Sequence, residues 1–286
     1  MITLRRATER RHDRDRDREV WLTFPAKLRE SPLADGFGSL ERLDEVRLGP
    51  GAGVPPHPAH DAEIVTYVSE GALAYEDALG RSGVVYAGEF LRTTAAQAVR
   101  HGEMNASKTD RAHVLQLWLR SSEASLTASY EQRWFTQAER RGRLRVVASP
   151  DGRRGSLHIH QDALLYSSLL EPGQHLVYAL SQVRRAWLHL VLGALSLDDF
   201  VLTAGDGAGV SGERAVSFTA LERSELLLLD LAQESRAPPS QRAGSTDHDP
   251  VVPAERTSRE SGRRGPHAQT TRPSNPRVPT EPPHVD

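Results

Sequence analysis

Short apolar or alternating runs, separated by Gly, Pro and Asp, fill the chain between residues 40 and 231. Such alternation is typical of β-strands, and no long stretch of helical periodicity competes with it. About a dozen closely spaced strands favour antiparallel barrels or jelly rolls, so we expect an all-β fold. The candidate strands are residues 63–67, 72–76, 83–86, 88–93, 114–119, 143–148, 157–161, 176–180, 186–191, 196–201, 216–219 and 225–230.

This pattern is weakly repeated along the chain. Residues 66–73, an apolar strand followed by a Gly turn and a second strand, are echoed by residues 188–195. Residues 87–90 (AGEF) are echoed in the same way by residues 204–207 (AGDG). The repetition predicts two copies of one β-unit.

Both ends of the chain differ from this pattern. Residues 233–286 hold ten of the 18 prolines and no Phe, Trp or Tyr, so they offer too little apolar area to offset the entropy of ordering. We expect a disordered Pro/Arg-rich tail, with a Pro-rich partner peptide as the alternative. Residues 10–19 alternate in charge almost residue by residue, which predicts a solvated loop.

Composition excludes several kinds of site and partner. The formal net charge of −2 provides no field that would attract nucleic acid or an anionic membrane. The absence of cysteine excludes disulfides, thiolate-bound metals and thiol nucleophiles, so any metal must be held by His and carboxylates. With no apolar leader at the start and no membrane-length apolar run, we expect a cytoplasmic monomer that contacts neither membrane nor nucleic acid.

Three residues could carry metal chemistry. His101 and Glu103 are two positions apart, and on a strand such residues point to the same face, so both can enter a barrel interior. Together with His57 they would form the set of two histidines and one carboxylate that holds non-haem Fe(II) with open coordination positions. The same spacing also fits a His–Glu pair on a solvated loop.

Several separate motifs resemble the pirin family of bicupins, in the family's order. The resemblance covers roughly residues 1–231 and excludes the tail. The motifs that carry it are His57-Pro58, residues 61–68 (DAEIVTYV), Glu70-Gly71, residues 87–90 (AGEF), residues 100–103 (RHGE), Asn105, residues 130–133 (YEQR) with Phe135, residues 149–152 (SPDG), residues 155–157 (GSL) and residues 159–162 (IHQD).

This resemblance implies two cupin jelly-roll domains in one chain, which we place at residues 1–135 and 136–232. It also implies a single mononuclear metal, usually iron, in the N-terminal barrel, and a metal-free C-terminal barrel. The family pattern is three histidines and one glutamate, to which His57, His101 and Glu103 correspond. The position of the second histidine is occupied here by Ala59.

The alanine leaves three outcomes open. His60, one position later, could substitute as a ligand, although a one-residue shift turns a strand side chain to the opposite face unless a bulge intervenes. Alternatively, His57, His101 and Glu103 hold Fe(II) or another divalent first-row metal by themselves. The third outcome is a weak or empty site.

Two functions follow from the resemblance. The first is an iron-dependent dioxygenase similar to the quercetin 2,3-dioxygenases, with a small aromatic substrate, an apolar pocket, and Glu103 as a ligand that also takes the substrate proton. The second is a non-catalytic bicupin that binds a protein partner or a small molecule as a regulatory module. No serine or cysteine nucleophile motif supports a hydrolase.

Overall fold

The computed structural model describes residues 1–25, 33–59, 62–95, 99–121 and 126–232, without the side chains of residues 55–59 and 99–101. These residues form 22 β-strands, one short α-helix and two 3-10 turns. The elements in chain order are β1 (Ile2–Arg5), a 3-10 turn (Ala7–Glu9), β2 (Arg11–Arg14), β3 (Arg18–Leu22), β4 (Leu40–Leu48), β5 (Gly53–Ala59), β6 (Ala62–Glu70), β7 (Ala72–Asp77), β8 (Ser82–Tyr86), β9 (Glu89–Ala95), β10 (Val99–Asn105), β11 (Ala112–Arg120), β12 (Ser129–Trp134), α1 (Gln137–Arg140), β13 (Arg145–Ser149), a 3-10 turn (Arg153–Gly155), β14 (Leu157–His158), β15 (Ala163–Leu170), β16 (His175–Ala179), β17 (Arg184–Leu192), β18 (Ala194–Leu197), β19 (Phe200–Thr203), β20 (Gly207–Ser211), β21 (Ala215–Ala220) and β22 (Ser224–Ala232).

The strands form two similar β-barrels, each built from one seven-stranded and one four-stranded sheet. The N-terminal barrel has the strand orders β12-β9-β6-β11-β4-β3-β2 and β5-β10-β7-β8. The C-terminal barrel has the orders β1-β20-β17-β22-β15-β13-β14 and β16-β21-β18-β19. The expected all-β fold of two cupin domains is confirmed.

Two glycine turns anchor the structural repeat. Gly71 and Gly193 join β6 to β7 and β17 to β18 with φ angles of 75° and 87°, which favour glycine. A Cβ at either position would lie 2.3–2.4 Å from the carbonyl oxygen of the residue preceding β11 or β22. The same close contact therefore recurs in both barrels.

The first strand belongs to the C-terminal barrel. β1 pairs antiparallel with β20, with Ile2 opposite Val210, although the expected division placed residues 1–135 together in the N-terminal domain. The boundaries at residues 135 and 232 stay a prediction, and the expected tail at residues 233–286 lies outside the described residues.

Two local sequence expectations are wrong. Within the expected loop at residues 10–19, β2 and the start of β3 form a hairpin. Arg14 lies opposite Glu19 in it, with Nε 3.3 Å from Oε1, and the ring of His12 stacks on that of Trp21. The candidate strand 196–201 is instead the hairpin of β18 and β19, with Leu197 opposite Phe200. Asp198 permits the turn by adopting a φ of 47°, a conformation that aspartate tolerates better than most residues.

The large sheets of the two barrels pack against each other, so their central strands are buried on both faces. On β11, Leu115, Leu117 and Leu119 belong to the interface core, whereas Val114 belongs to the interior of the N-terminal barrel. On β22, residues 227, 229 and 231 face the interface and residues 226 and 228 the C-terminal interior. Alternation therefore gives each of these strands two different apolar surroundings.

No helix within the described ranges combines the length and apolarity that a bilayer crossing requires.

A buried polar cluster interrupts this interface. Arg10 Nη1 donates to Glu45 Oε2 at 2.6 Å, and His113 Nε2 lies 2.8 Å from Glu45 Oε1. His189, on β17, is fully buried, and neither of its ring nitrogens has a hydrogen-bond partner among the described residues. Burial, reinforced by the positive charge of Arg10, lowers the pKa of His189 to about 3.

This cluster predicts how stability depends on pH. His189 is neutral in the folded protein, whereas in the unfolded chain it takes up a proton below about pH 6.5. The free energy of unfolding therefore falls as pH drops, by about 3 kcal/mol at pH 4.5 from this residue alone. In His189→Leu this contribution is absent, so the variant loses less stability than the wild type between pH 7 and 4.5 in urea unfolding. His175→Leu, which changes an exposed histidine, keeps the wild-type pH dependence. Equal losses in wild type and His189→Leu would contradict the assignment.

Candidate metal centre

The pairing of β5 with β10 brings together the two segments that carry the predicted ligands. In this antiparallel pair His101 lies directly opposite His57, and Val99 lies opposite Ala59. The alternative in which His101 and Glu103 stand on a solvated loop is therefore wrong. The side chains of His57 and His101 lie outside the described residues, as does the whole of His60.

Glu103 is the predicted ligand whose side chain is described. It lies on β10 opposite Tyr75 of β7, and the pairing with β5 shifts register between His101 and Glu103. The amide nitrogen of Gln116 donates to both carboxylate oxygens of Glu103, each at 2.8 Å. Gln116 thus fixes the carboxylate from a strand of the opposite sheet.

Gln116 is the site residue that the sequence analysis missed. It lies on β11, where Val114 and Trp118 belong to the interior clusters of the N-terminal barrel. One signal was present in the sequence: within the apolar run of residues 114–119, a single polar residue stands in register with the inward-facing positions. Alternation along a strand would have assigned it to the interior.

The lumen around this pair is apolar at both ends. On one side lies a cluster that includes Leu48, Val68 and Val114, and on the other a cluster of Ala62, Ile64, Ala95 and Trp118. Arg42 stacks over the Trp118 ring, with its guanidinium carbon 4.6 Å from the ring centroid. The lumen therefore combines apolar walls, and the Trp118 ring with Arg42 stacked over it, with the Glu103 carboxylate.

The electrostatics of Glu103 fit a bound cation. Burial raises the pKa of its carboxyl to about 7, and the hydrogen bond from Gln116 only partly offsets this effect. Gln116 is neutral and supplies no positive charge. A divalent cation next to the carboxylate would favour its ionised form, and two imidazoles with one carboxylate form a donor set that suits divalent first-row metals.

Among the residues whose side chains are described, no group of three or more His, Asp or Glu could hold a metal. His57 and His101 are not among those residues. The predicted ligand set of His57, His101 and Glu103 therefore stays a prediction, with His60 as the possible substitute.

The C-terminal barrel carries apolar residues at the corresponding positions. Leu73 follows the Gly71 turn and pairs with Asn105, just as Leu195 follows the Gly193 turn and pairs with Ala220. Asn105 and Ala220 are therefore equivalent, so Glu103, two positions before Asn105, aligns with Phe218, and His101 aligns with Val216. Phe218 and Val216 are both buried in the C-terminal core. The contacts of the two glycines with β11 and β22 align Gln116 with Leu228 in the same way.

Comparison with known proteins places these barrels in a family. Residues 23–119 match the family description Pirin, and residues 146–231 match the Quercetinase C-terminal cupin domain. The chain is 36% identical over 231 residues to a quercetin 2,3-dioxygenase of Escherichia coli K12, which covers 81% of this chain and 99% of that protein. It is 32% identical over 197 residues to a pirin-like protein of Caulobacter vibrioides, covering 68% and 84%.

The crystal structure of YhhW from Escherichia coli superposes with a TM-score of 0.77 at 35% identity, covering 83% of this chain and all of that one. A structure of the bacterial pirin YhhW in complex with nickel(II) superposes with a TM-score of 0.75 at 36% identity, covering 81% and 99%. In sequence and in fold, this chain belongs to the pirin family.

Proposed function

We propose that this protein is a metal-dependent dioxygenase that cleaves a small aromatic substrate of the flavonol class, such as quercetin, at the 2,3 bond with O₂. One observation carries the proposal: Glu103 is held in an apolar lumen, beside the strand pair that carries His57 and His101. The quercetin 2,3-dioxygenases among the relatives support the reaction and the substrate class. The nickel(II) complex of a related pirin supports a divalent first-row metal, for which we propose Fe(II).

In this proposal His57, His101 and Glu103 hold the metal. A metal bound there supplies Lewis acidity and open coordination positions for substrate and O₂. Two imidazoles and a carboxylate suffice for such a site, so the alanine at position 59 does not by itself abolish binding.

We assign proton transfer, ligand orientation and substrate packing to side chains of this protein. In this proposal Glu103, whose carboxylate lies beside the strand pair that carries His57 and His101, accepts the proton of the substrate hydroxyl. Gln116 fixes the orientation of that carboxylate through both oxygens. Ile64 and Trp118 belong to an apolar cluster of this lumen. To this cluster we assign the contact with a flat aromatic ring and the exclusion of water from the reacting atoms.

The first prediction concerns the missing histidine. Ala59→His adds an imidazole two positions after His57, so we expect iron to bind at least about tenfold more tightly, since each additional ligand opposes dissociation and proton competition. Flavonol-dependent O₂ uptake should rise with the bound iron. Iron content and O₂ consumption with quercetin measure the two effects on the full chain.

Ala179→His is the matched control, because it places the same side chain at an exposed position of β16 in the other barrel. If neither the wild type nor Ala59→His consumes O₂ in a quercetin-dependent way when supplied with iron, the dioxygenase proposal is overturned. The non-catalytic binding module then becomes the better interpretation.

A second prediction concerns Gln116. Gln116→Leu introduces the residue that the other barrel carries at the aligned position, Leu228, and removes both hydrogen bonds to Glu103. Groups that orient metal ligands typically contribute 10–100-fold to affinity, so we expect Ni²⁺ to dissociate about 10–100-fold more readily in calorimetric titrations. Gln132→Leu, on the exposed face of β12, should leave Ni²⁺ affinity unchanged. A Gln116→Leu dissociation constant within about twofold of the wild-type value would show that this amide does not support a metal ligand.

A further inference from the structure

A second cavity lies between the two barrels, outside the lumen that holds Glu103. Its volume is about 250 Å³. Tyr67 and Gly88 line it from the N-terminal barrel, and Leu192 and Glu225 from the C-terminal barrel, with Arg140 of α1 between them. Tyr67 belongs to the interface core and not to the interior clusters of the N-terminal barrel, so this cavity is separate from the candidate metal centre.

The buried wall of the cavity is a charged network. Nη1 of Arg140 donates to Tyr67 Oη at 2.9 Å and to Glu225 Oε1 at 2.8 Å, and Tyr67 also donates to Glu225. Arg140 is buried, and its Nε has no hydrogen-bond partner among the described residues. Arg140 is thus held by Tyr67 and Glu225, and it adds a fixed positive charge to the wall of the cavity.

The chain around Trp134 and Thr136 builds this wall. Phe135 is buried in the interface core, so its neighbour Trp134 points outward and leaves 63% of its surface exposed. Thr136 then caps α1: its Oγ1 accepts from the Glu139 amide at 3.2 Å, and Glu139 Oε2 accepts from the Thr136 amide at 2.8 Å. This capping box fixes the short helix whose last residue is Arg140.

The charge that lines the cavity is positive. Arg140 and Arg223 stand against one carboxylate, Glu225, while burial raises the pKa of Tyr67 well above its usual range and keeps the phenol neutral. Arg223 is exposed, and its side chain forms no hydrogen bond or ion pair with the residues that the structure describes. One cation is thus uncompensated, which favours an anionic ligand.

The remaining walls are apolar. Trp134 presents its indole ring, which lies against Gly88, with Nε1 3.3 Å from the position that a Cβ would take there. Leu192 of the other barrel leaves 54% of its surface exposed. Aromatic and aliphatic surfaces beside a guanidinium are suited to a ligand that combines a flat ring with a negative group.

We propose that this inter-barrel cavity binds a small aromatic carboxylate, with its carboxylate on Arg223 and its ring against Trp134. The volume is below the usual range for drug-sized ligands, so the ligand is small, of the size of one or two fused rings. The site is independent of the metal and of the dioxygenase reaction.

The test uses 2-naphthoate as the probe and 2-naphthamide as its uncharged analogue, titrated calorimetrically into the full chain. We expect 2-naphthoate to bind with one site per chain, and the amide to bind at least tenfold more weakly. Arg223→Ala and Trp134→Ala, both at exposed positions, should each weaken 2-naphthoate at least tenfold. Arg214→Ala, another exposed arginine of the C-terminal barrel, should leave its affinity unchanged.

Glu103→Ala separates this cavity from the metal centre. If the proposal is correct, Glu103→Ala binds 2-naphthoate as the wild type does. The proposal is overturned if 2-naphthoate shows no saturable binding up to 5 mM, or if Arg223→Ala leaves its affinity unchanged. It is equally overturned if Glu103→Ala abolishes binding, because the probe would then occupy the barrel lumen.

Discussion

The structure depends on the packing of two seven-stranded sheets against each other through strands that are apolar on both faces. β11 and β22 show the constraint most clearly, since each sends alternate side chains into its own barrel and into the interface. A strand of this kind cannot slip by one residue without exchanging its two surroundings. The register that buries Leu115 and Leu117 in the interface therefore also directs Gln116 into the lumen, where it meets Glu103. The interface in this way fixes the geometry of the candidate site.

An interface built from β-sheets still has to accommodate polar groups, and two networks among the described residues show how this one does so. Arg10, Glu45 and His113 form one, and Tyr67, Arg140 and Glu225 form the other. In both, an arginine and a glutamate compensate each other away from water, which is the condition under which buried charge is tolerated. Among the described residues, each network also has polar atoms without a hydrogen-bond partner: Nε of Arg10 and both ring nitrogens of the neighbouring His189 in the first, and Nε of Arg140 in the second. The second network lines the inter-barrel cavity, so its charges can contact a ligand.

The sequence predicted the fold class and most central strands because alternation and glycine turns are local signals. The Gly71 and Gly193 turns, seen first as a weak repeat, occupy equivalent places in the two barrels. What the sequence did not predict depended on how the strands pair. The hairpin of β2 and β3 looked like a solvated loop because opposite charges alternate along the chain, whereas in the structure most of these residues pair with apolar residues of β3. The pairing of β1 with β20 joins residues about two hundred positions apart, and no local pattern contains it. Gln116 was missed for a related reason, since its importance lies in a partner on another sheet.

The two barrels also show that few sequence differences separate a lumen that contains polar side chains from one that is filled by apolar side chains. At three aligned positions the N-terminal barrel has His101, Glu103 and Gln116, and the C-terminal barrel has Val216, Phe218 and Leu228. The strand framework is the same in both barrels, so backbone pairing alone does not determine which barrel contains the polar side chains of the candidate site. The difference lies in the free-energy cost of burying a carboxylate, because a buried carboxylate is retained only where a partner group offsets that cost. Gln116 compensates part of that cost, and the raised pKa of Glu103 shows that part remains. That residual cost agrees with the proposal of a cation in the N-terminal lumen, while the C-terminal barrel avoids the cost by filling the same space with apolar side chains.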